Sequence, residues 1–167
     1  EGIQRALRQC GFDRSDTVLH FHNHSLGKNW SIPGAIRVLA EQGYGLLLQV
    51  HDFAEDFRPT NYSHLLSGLT AQKVAGPQWV YPQAPRIHYA LLNCRDQKAL
   101  CDAGADASRL HLLPNCATQF GPLPDPAEAR RKLNRLFGIP HASRYFVYPV
   151  RGIRRKNLGE CLLIAAA

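Results

Sequence analysis

Apolar positions along the chain change period several times, and each change marks an element. The run "TVLHFH" (17–22) alternates and is rich in β-branched and aromatic residues, which predicts a strand. "IPGAIRVLAEQG" (32–43) has helical spacing, with a proline near its start and Gly43 as its stop. "YGLLLQVHDF" (44–53) is almost continuously apolar up to its last residues. A run of that kind predicts a strand buried on both faces of a parallel sheet. Helical spacing returns at 61–75, a strand at 88–94, a helix at 96–104 ending at Gly104, and a strand at 109–115 closed by Pro114. A first helix is expected at 2–10. The alternation of strand and helix, with crossovers of this length, implies parallel pairing. The fold class expected is α/β: a Rossmann-like parallel sheet flanked by helices.

The pattern changes at residue 116. "CATQFGPLPDP" (116–126) has no period and is rich in proline and glycine, as a connector is. A helix follows at 127–138, then a strand-like run at 144–150 and a helix over 157–167. Three segments are expected: residues 1–115 as the second half of a larger sheet domain, 116–143 as connector and helix, and 144–167 as the first strand and helix of a second domain. The chain has no methionine, and its last helical pattern carries no stop signal. Both ends are therefore expected to be cut, leaving the sheet with an exposed edge and an exposed apolar face.

Composition narrows the function classes. With 45% hydrophobic and 20% charged residues the chain has a globular composition. No apolar run approaches the length that spans a bilayer, and no export signal is read at the start, so the expected location is cytoplasmic. Five cysteines without a CxxC pair support neither a zinc ribbon nor a redox motif, and are expected as buried or neutral free thiols. The net charge of +7 is unevenly placed. Residues 126–160 carry nine Lys and Arg against two Glu. That surplus predicts an anionic ligand there. Stacking aromatics are not interleaved with it, so nucleic acid is not expected.

Ligands of open α/β sheets bind at the carboxyl ends of strands. Here those ends read "HNHSLGKN", "HDFAEDFRPTNY", "NCRD" and "RGIRRKN". His51 and Asp52, where an apolar strand meets a polar loop, are the candidates for catalysis. The alternative is that Asp52 caps the next turn and His51 packs. Asn23, Lys28, Asn29, Arg58, Asn61 and Tyr62 are candidates for a substrate-facing loop set, although Asn61 would also serve as a helix N-cap. In "HFHNH" (20–24), His20 and His22 share one face of a strand and could join His51 around a metal. His20 would then lie deeper in the sheet, and no metal is assigned. Arg151 and Lys156 flank the beginning of the last helix, whose free N–H groups favour phosphates. Arg154 and Arg155 contribute field. The segment has no P-loop spacing.

The stretch "YPVRGIRRKNL" resembles the start of the C-terminal domain in retaining glycosyltransferases of family 4, which have the GT-B fold. "DASRLHLLPNCAT" (106–118) is similar to that family's Pro-Asn-Gly-Val segment, with Cys116 in the glycine position. "LLLQVHDFAED" is similar to its strand ending in His-Asp. The three occur in the family's order and cover residue 17 to the end. Val150 and Asn157 stand where the family has glycine. The resemblance implies a partial GT-B fold and transfer of a sugar from a nucleotide-diphosphate donor to an acceptor hydroxyl, with retention. It places the diphosphate on Arg151 and Lys156 and the transferred sugar at His51. It implies no cofactor besides the nucleotide-sugar donor substrate. The acceptor, whether glycan, lipid or small molecule, is open, as is peripheral membrane contact. A metal-dependent hydrolase, a non-catalytic anion-binding module and a sugar-nucleotide epimerase of the same fold stand as alternatives.

Overall fold

The computed structural model describes residues 2–56, 58–71, 73, 76–116, 121–138, 145–152 and 156–167. The chain divides into two compact units, Glu1–Ala117 and Thr118–Ala167.

The first unit is an α/β layer. Strands β1 (Val18–His22), β2 (Gly45–Val50), β3 (Ile87–Leu91) and β4 (Leu110–Leu112) form one sheet in the order β1-β2-β3-β4. All three pairings are parallel. Helices α1 (Gly2–Gln9), α2 (Ser31–Glu41), α3 (Pro59–Ala71), the short α4 (Pro77–Val80) and α5 (Cys94–Asp102) precede or connect the strands. A sequential parallel order requires every crossover to turn the same way, and right-handed crossovers then deliver their helices to one face. The core follows from that. Leu46, Leu48, Val50, Ile87, Tyr89, Leu91 and Leu110 alternate onto one face of the sheet. They pack against Leu7 of α1, Ile36 and Leu39 of α2, and Leu100 of α5. A smaller cluster of Ala54, Leu65 and Val80 adjoins it through Tyr81.

The opposite face differs from the expectation. Burial of β2 on its second face is incomplete: Gly45 and Leu47 are partly buried, while Gln49 is buried. With the helices on one face, the other carries His20, His22, Leu47, Gln49, His88 and His111. Two imidazole pairs bridge neighbouring strand ends there. His22 Nδ1 lies 3.0 Å from His51 Nε2, and His88 Nδ1 lies 2.9 Å from His111 Nε2.

Helix boundaries follow local chemistry. Asn93 caps α5, its side chain accepting from Asp96 N, and Gly43 and Gly104 take left-handed φ angles of 88° and 93° behind α2 and α5. Helix α3 begins two residues before the expected start, so Asn61 lies inside its first turn and is not its N-cap. The cysteines also depart from expectation. All are free, but Cys10, Cys94, Cys101 and Cys116 are exposed and Cys161 is partly so. Cys94 and Cys101 are seven residues apart on α5, two turns along the side that faces water.

The second unit, taken by itself, contains α6 (Pro126–Phe137) and α7 (Leu158–Ala166). Asp125 caps α6, accepting from Glu128 N at 2.9 Å, and Gly138 closes it with φ 62°. Tyr145 donates to Asn134 Oδ1 and lies under the Arg130 guanidinium. The strand expected at 144–150 is not formed over its described residues, 145–150. An apolar run becomes a strand only by pairing, and the four strands that pair all belong to the first unit. Among the described residues no helix is long and apolar enough to cross a membrane.

Leu48 is fully buried at the centre of the first core. Leu48→Ala is expected to cost about 2–5 kcal/mol of stability, the range for a deleted core leucine side chain. Urea unfolding of the chain measures it, and a loss below about 1 kcal/mol would contradict this account of the core.

Candidate functional site

The polar residues singled out in the first unit converge at the carboxyl ends of β1 and β2. Asn23 leaves β1 with φ 53°, a left-handed conformation that asparagine tolerates better than most residues. That turn aims its side chain at the neighbouring strand. Asn23 Oδ1 accepts from His51 N at 2.8 Å and from Asp52 N at 3.2 Å. In return Asn23 N donates to Gln49 O at 2.8 Å. The first two residues beyond β2 are thus held by one amide oxygen.

The loop after β1 is fastened to α3 as well. Asn61 Nδ2 donates to Leu26 O at 2.8 Å, and His64 Nδ1 donates to Gly27 O at 2.7 Å. Gly27 takes φ 73°, and a Cβ there would collide with the Asn61 carbonyl, so the approach of loop to helix requires glycine. Arg58 reaches back to Asp52, with Nη2 to Oδ2 at 2.7 Å. The Asp52 carboxylate is therefore paired with Arg58, and no capping bond to it is found among the described residues. Lys28 and Asn29 are exposed; Asn29 Oδ1 accepts from the Ser31 amide and hydroxyl ahead of α2. Tyr62 is partly exposed on α3. Of the sequence-selected residues, Asn23, His51, Asp52, Arg58 and Asn61 share one network, whereas Lys28, Asn29 and Tyr62 lie outside it.

Two residues of the site were not singled out by sequence reading as members of it. His24 is buried, and its Nε2 donates to Val80 O at 3.0 Å. Burial pushes its imidazole down to about 4, so it is neutral near neutral pH. Its Nδ1 and the hydroxyl of fully buried Ser25 have no hydrogen-bond partner among the described residues. Nearby, Tyr81 donates to Glu55 Oε2 at 3.0 Å, and burial raises its phenol well above the usual range. The signal was the density of His and Ser in "HNHSLG", which alone does not tell a buried histidine from an exposed one.

His20, His22 and His51 are neighbours, with ring centroids 4.2 Å apart for the first pair and 5.2 Å for the second. Among the described residues, however, no group of three or more His, Cys, Asp or Glu side chains is arranged to hold a metal ion. His22 and His51 instead face each other nitrogen to nitrogen, Nδ1 to Nε2 at 3.0 Å, so these two atoms bond each other.

In the second unit Arg151 is exposed, and Lys156 is half-buried with its carbonyl accepting from Tyr148 Oη at 2.8 Å. Asn157 precedes α7 with φ 51° and ψ 45° and makes no side-chain cap. This left-handed conformation is the one glycine supplies most easily and asparagine next. Arg154 and Arg155 lie outside the described residues, as does Ala117 of the Pro114-Asn115-Cys116-Ala117 segment.

Comparison with known proteins gives one informative relative. The chain is 30% identical, over 98% of its length, to a mannosylglucosyl-3-phosphoglycerate synthase of Petrotoga mobilis. It spans about a third of that protein, 32%. No family model matches the chain, and no solved structure matches it significantly.

The depressed imidazole of His24 makes stability depend on pH. An unfolded chain binds a proton at this residue below about pH 6.5, whereas the folded chain resists doing so until about 4. Between those values the unfolded state holds more protons, so stability falls as pH falls, by about 3 kcal/mol in total from this residue. Unfolding free energies at pH 7, 5.5 and 4 are expected to show that decline. His24→Gln, which keeps a donor for Val80 O but does not titrate, is expected to flatten it.

Proposed function

We propose that the chain is part of a glycosyltransferase that moves a sugar from a nucleotide-diphosphate donor to an acceptor hydroxyl. The observation that carries this reading is the 30% identity to a synthase of a glycosylated phosphoglycerate, sustained over 98% of the chain and so across both units. The resemblance of 106–118, 148–158 and the His51–Asp52 strand end to family 4 glycosyltransferases points the same way and is the source of the finer terms: GT-B architecture, a nucleotide-sugar donor and retention. The relative's name adds an acceptor class. A phosphoglycerate-bearing acceptor is anionic, whereas this chain's positive surplus lies in residues 126–160 and the rest of the chain carries eleven charges of each sign.

In this reading the acceptor oxygen bonds to the anomeric carbon as the bond from that carbon to the diphosphate breaks. The electron pair leaves with the diphosphate, and the acceptor's proton passes to a phosphate oxygen of the leaving group. Charge therefore develops on the diphosphate, and fixed cations lower the barrier most where that charge appears. Arg151, Lys156 and the free N–H groups at the beginning of α7 are assigned to it. His51 orients the transferred sugar by hydrogen bonding. Asp52 and Arg58, bonded to each other, hold the loop that places His51. Asn23 serves the same loop from the end of β1, and Asn61 ties the loop after β1 to α3. Lys28, Asn29 and Tyr62 are assigned to the acceptor side. No metal and no cofactor enters these assignments.

The test is a thermal-shift and transfer assay on the native polypeptide with UDP-, GDP- and ADP-sugars, chelator present. One nucleotide is expected to stabilise the protein, and Arg151→Ala with Lys156→Ala to abolish that shift. His51→Ala is expected to lower turnover about 100-fold, the scale of a misplaced reacting group, with donor binding retained. Absence of a shift with every nucleotide, and of transfer to a phosphoglycerate-type acceptor, would overturn the reading.

A further inference from the structure

We propose that His22 is a positioning residue for His51. The two imidazoles share one proton across their contact, leaving His51 Nδ1 as the ring atom that meets a substrate hydroxyl. This deepens, and rests on, the reading of His51 as the group that orients the sugar.

The register places the pair. His22 stands opposite Gln49, and His51 is two residues further on, so the period of two returns it to the same face of the sheet. His22 Nδ1 and His51 Nε2 are then 3.0 Å apart, with the rings inclined by 27°. The main chain of His51 is fixed separately, by Asn23 Oδ1. What remains free is rotation of the imidazole, and His22 removes that freedom. No other hydrogen bond to the His51 ring is found among the described residues.

A contact between two ring nitrogens needs one N–H donor and one lone pair. Two neutral rings satisfy it, as does one cation beside one neutral ring. Two cations do not, and like charges at this distance repel strongly. The pair thus holds at most one extra proton and titrates as a unit. Desolvation, and after it the neighbouring His20 and His51, act in the same direction and push His22 below its ordinary value. The other charged neighbours, Asp52 and Arg58, are bonded to each other at 2.7 Å. We assign the tautomers from the bond itself. The Nε2–H form is the commoner one for neutral imidazole. It lets His51 Nε2–H donate to His22 Nδ1, with His22 carrying its own proton on the outer Nε2. His51 Nδ1 is then an unprotonated acceptor, and a sugar hydroxyl is the chemical group it fits.

The test has a spectroscopic arm and a kinetic arm. Long-range proton–nitrogen NMR of the 167-residue chain between pH 8 and 4 reads the protonation of each ring nitrogen. The expected result is His51 protonated at Nε2 and bare at Nδ1, with one proton taken up by the pair before a second binds at clearly lower pH. His22→Phe is expected to release His51 from that tautomer, so that its two ring nitrogens no longer report one fixed form. His22→Asn, whose side-chain oxygen can replace the Nδ1 acceptor, is expected to keep His51 in its original tautomer. In the native polypeptide His22→Phe should lower kcat for transfer about 10-fold or more, with KM for the donor changed less and with recovery in His22→Asn. Independent titration of both rings, or an unchanged His51 spectrum in His22→Phe, overturns the shared proton. A coupled pair with unchanged kinetics in His22→Phe overturns the positioning role. A wild-type protein that transfers no sugar overturns the proposed function instead, while the spectra still decide whether the pair exists.

Discussion

The arrangement of the first unit's polar end depends on one amide oxygen. Asn23 Oδ1 takes hydrogen bonds from the two backbone N–H groups that leave β2, those of His51 and Asp52. Both groups have passed the end of the sheet ladder, where a partly buried N–H without a partner is costly. Satisfying them from the neighbouring strand has a second effect: it ties the start of the β2–α3 loop to the start of the β1–α2 loop. Two further contacts at this end build on that tie. The His22–His51 contact needs His51 held beside β1. The Asp52–Arg58 pair needs Asp52 turned toward α3. Substituting an alanine at position 23 would remove the acceptor and leave a residue poorly suited to φ 53°.

Much of the first unit could be read from its sequence because apolar period and turn residues agree there. The four strands and the helices over 2–9, 31–41, 59–71 and 94–102 correspond to the runs that predicted them, with ends shifted by at most four residues. Helix α4 gave no signal, since four residues are too few to show a period. The errors share a cause. β2 looked buried on both faces because its sequence is continuously apolar, yet sequence does not state which face the crossover helices will take. The run at 145–150 looked like a strand because strand propensity is local, whereas pairing is not. Asn61 looked like a cap because the proline two residues earlier was read as loop, although proline is at home in the first turn of a helix.

The site was legible in part for the same reasons. Strand ends could be located, and so could the residues at them, but not which side chains would be spent on structure. Asn61 Nδ2 bonds the Leu26 carbonyl and Asn29 Oδ1 bonds Ser31, so one polar atom of each side chain already has a partner within the chain. His24 shows the reverse case. It reads as one more histidine in a run of three, and burial sets it apart by removing its charge at neutral pH. Alternation explains the division: His20 and His22 share the helix-free face of the sheet, while Asn23 turns the chain out of the strand and sends His24 inward.

The two groups assigned to the donor differ in chemistry as their tasks require. A departing diphosphate gains negative charge throughout the reaction, and only a permanent cation serves it at every pH the protein meets. Arginine and lysine supply that. A sugar hydroxyl gains no full charge. It needs a partner able to accept a hydrogen bond, and a fixed cation would only donate. A neutral imidazole accepts on one nitrogen and donates on the other, but a lone histidine near neutral pH is partly protonated and then accepts on neither. Pairing His51 with His22 addresses this directly. A second ring at 3.0 Å makes double protonation unfavourable and fixes which nitrogen stays bare. Placing a histidine at the end of β1, two residues ahead of the next histidine in the same run, is therefore more than surplus polarity at a strand end. In the proposed reading it is how one imidazole keeps an acceptor facing the sugar hydroxyl.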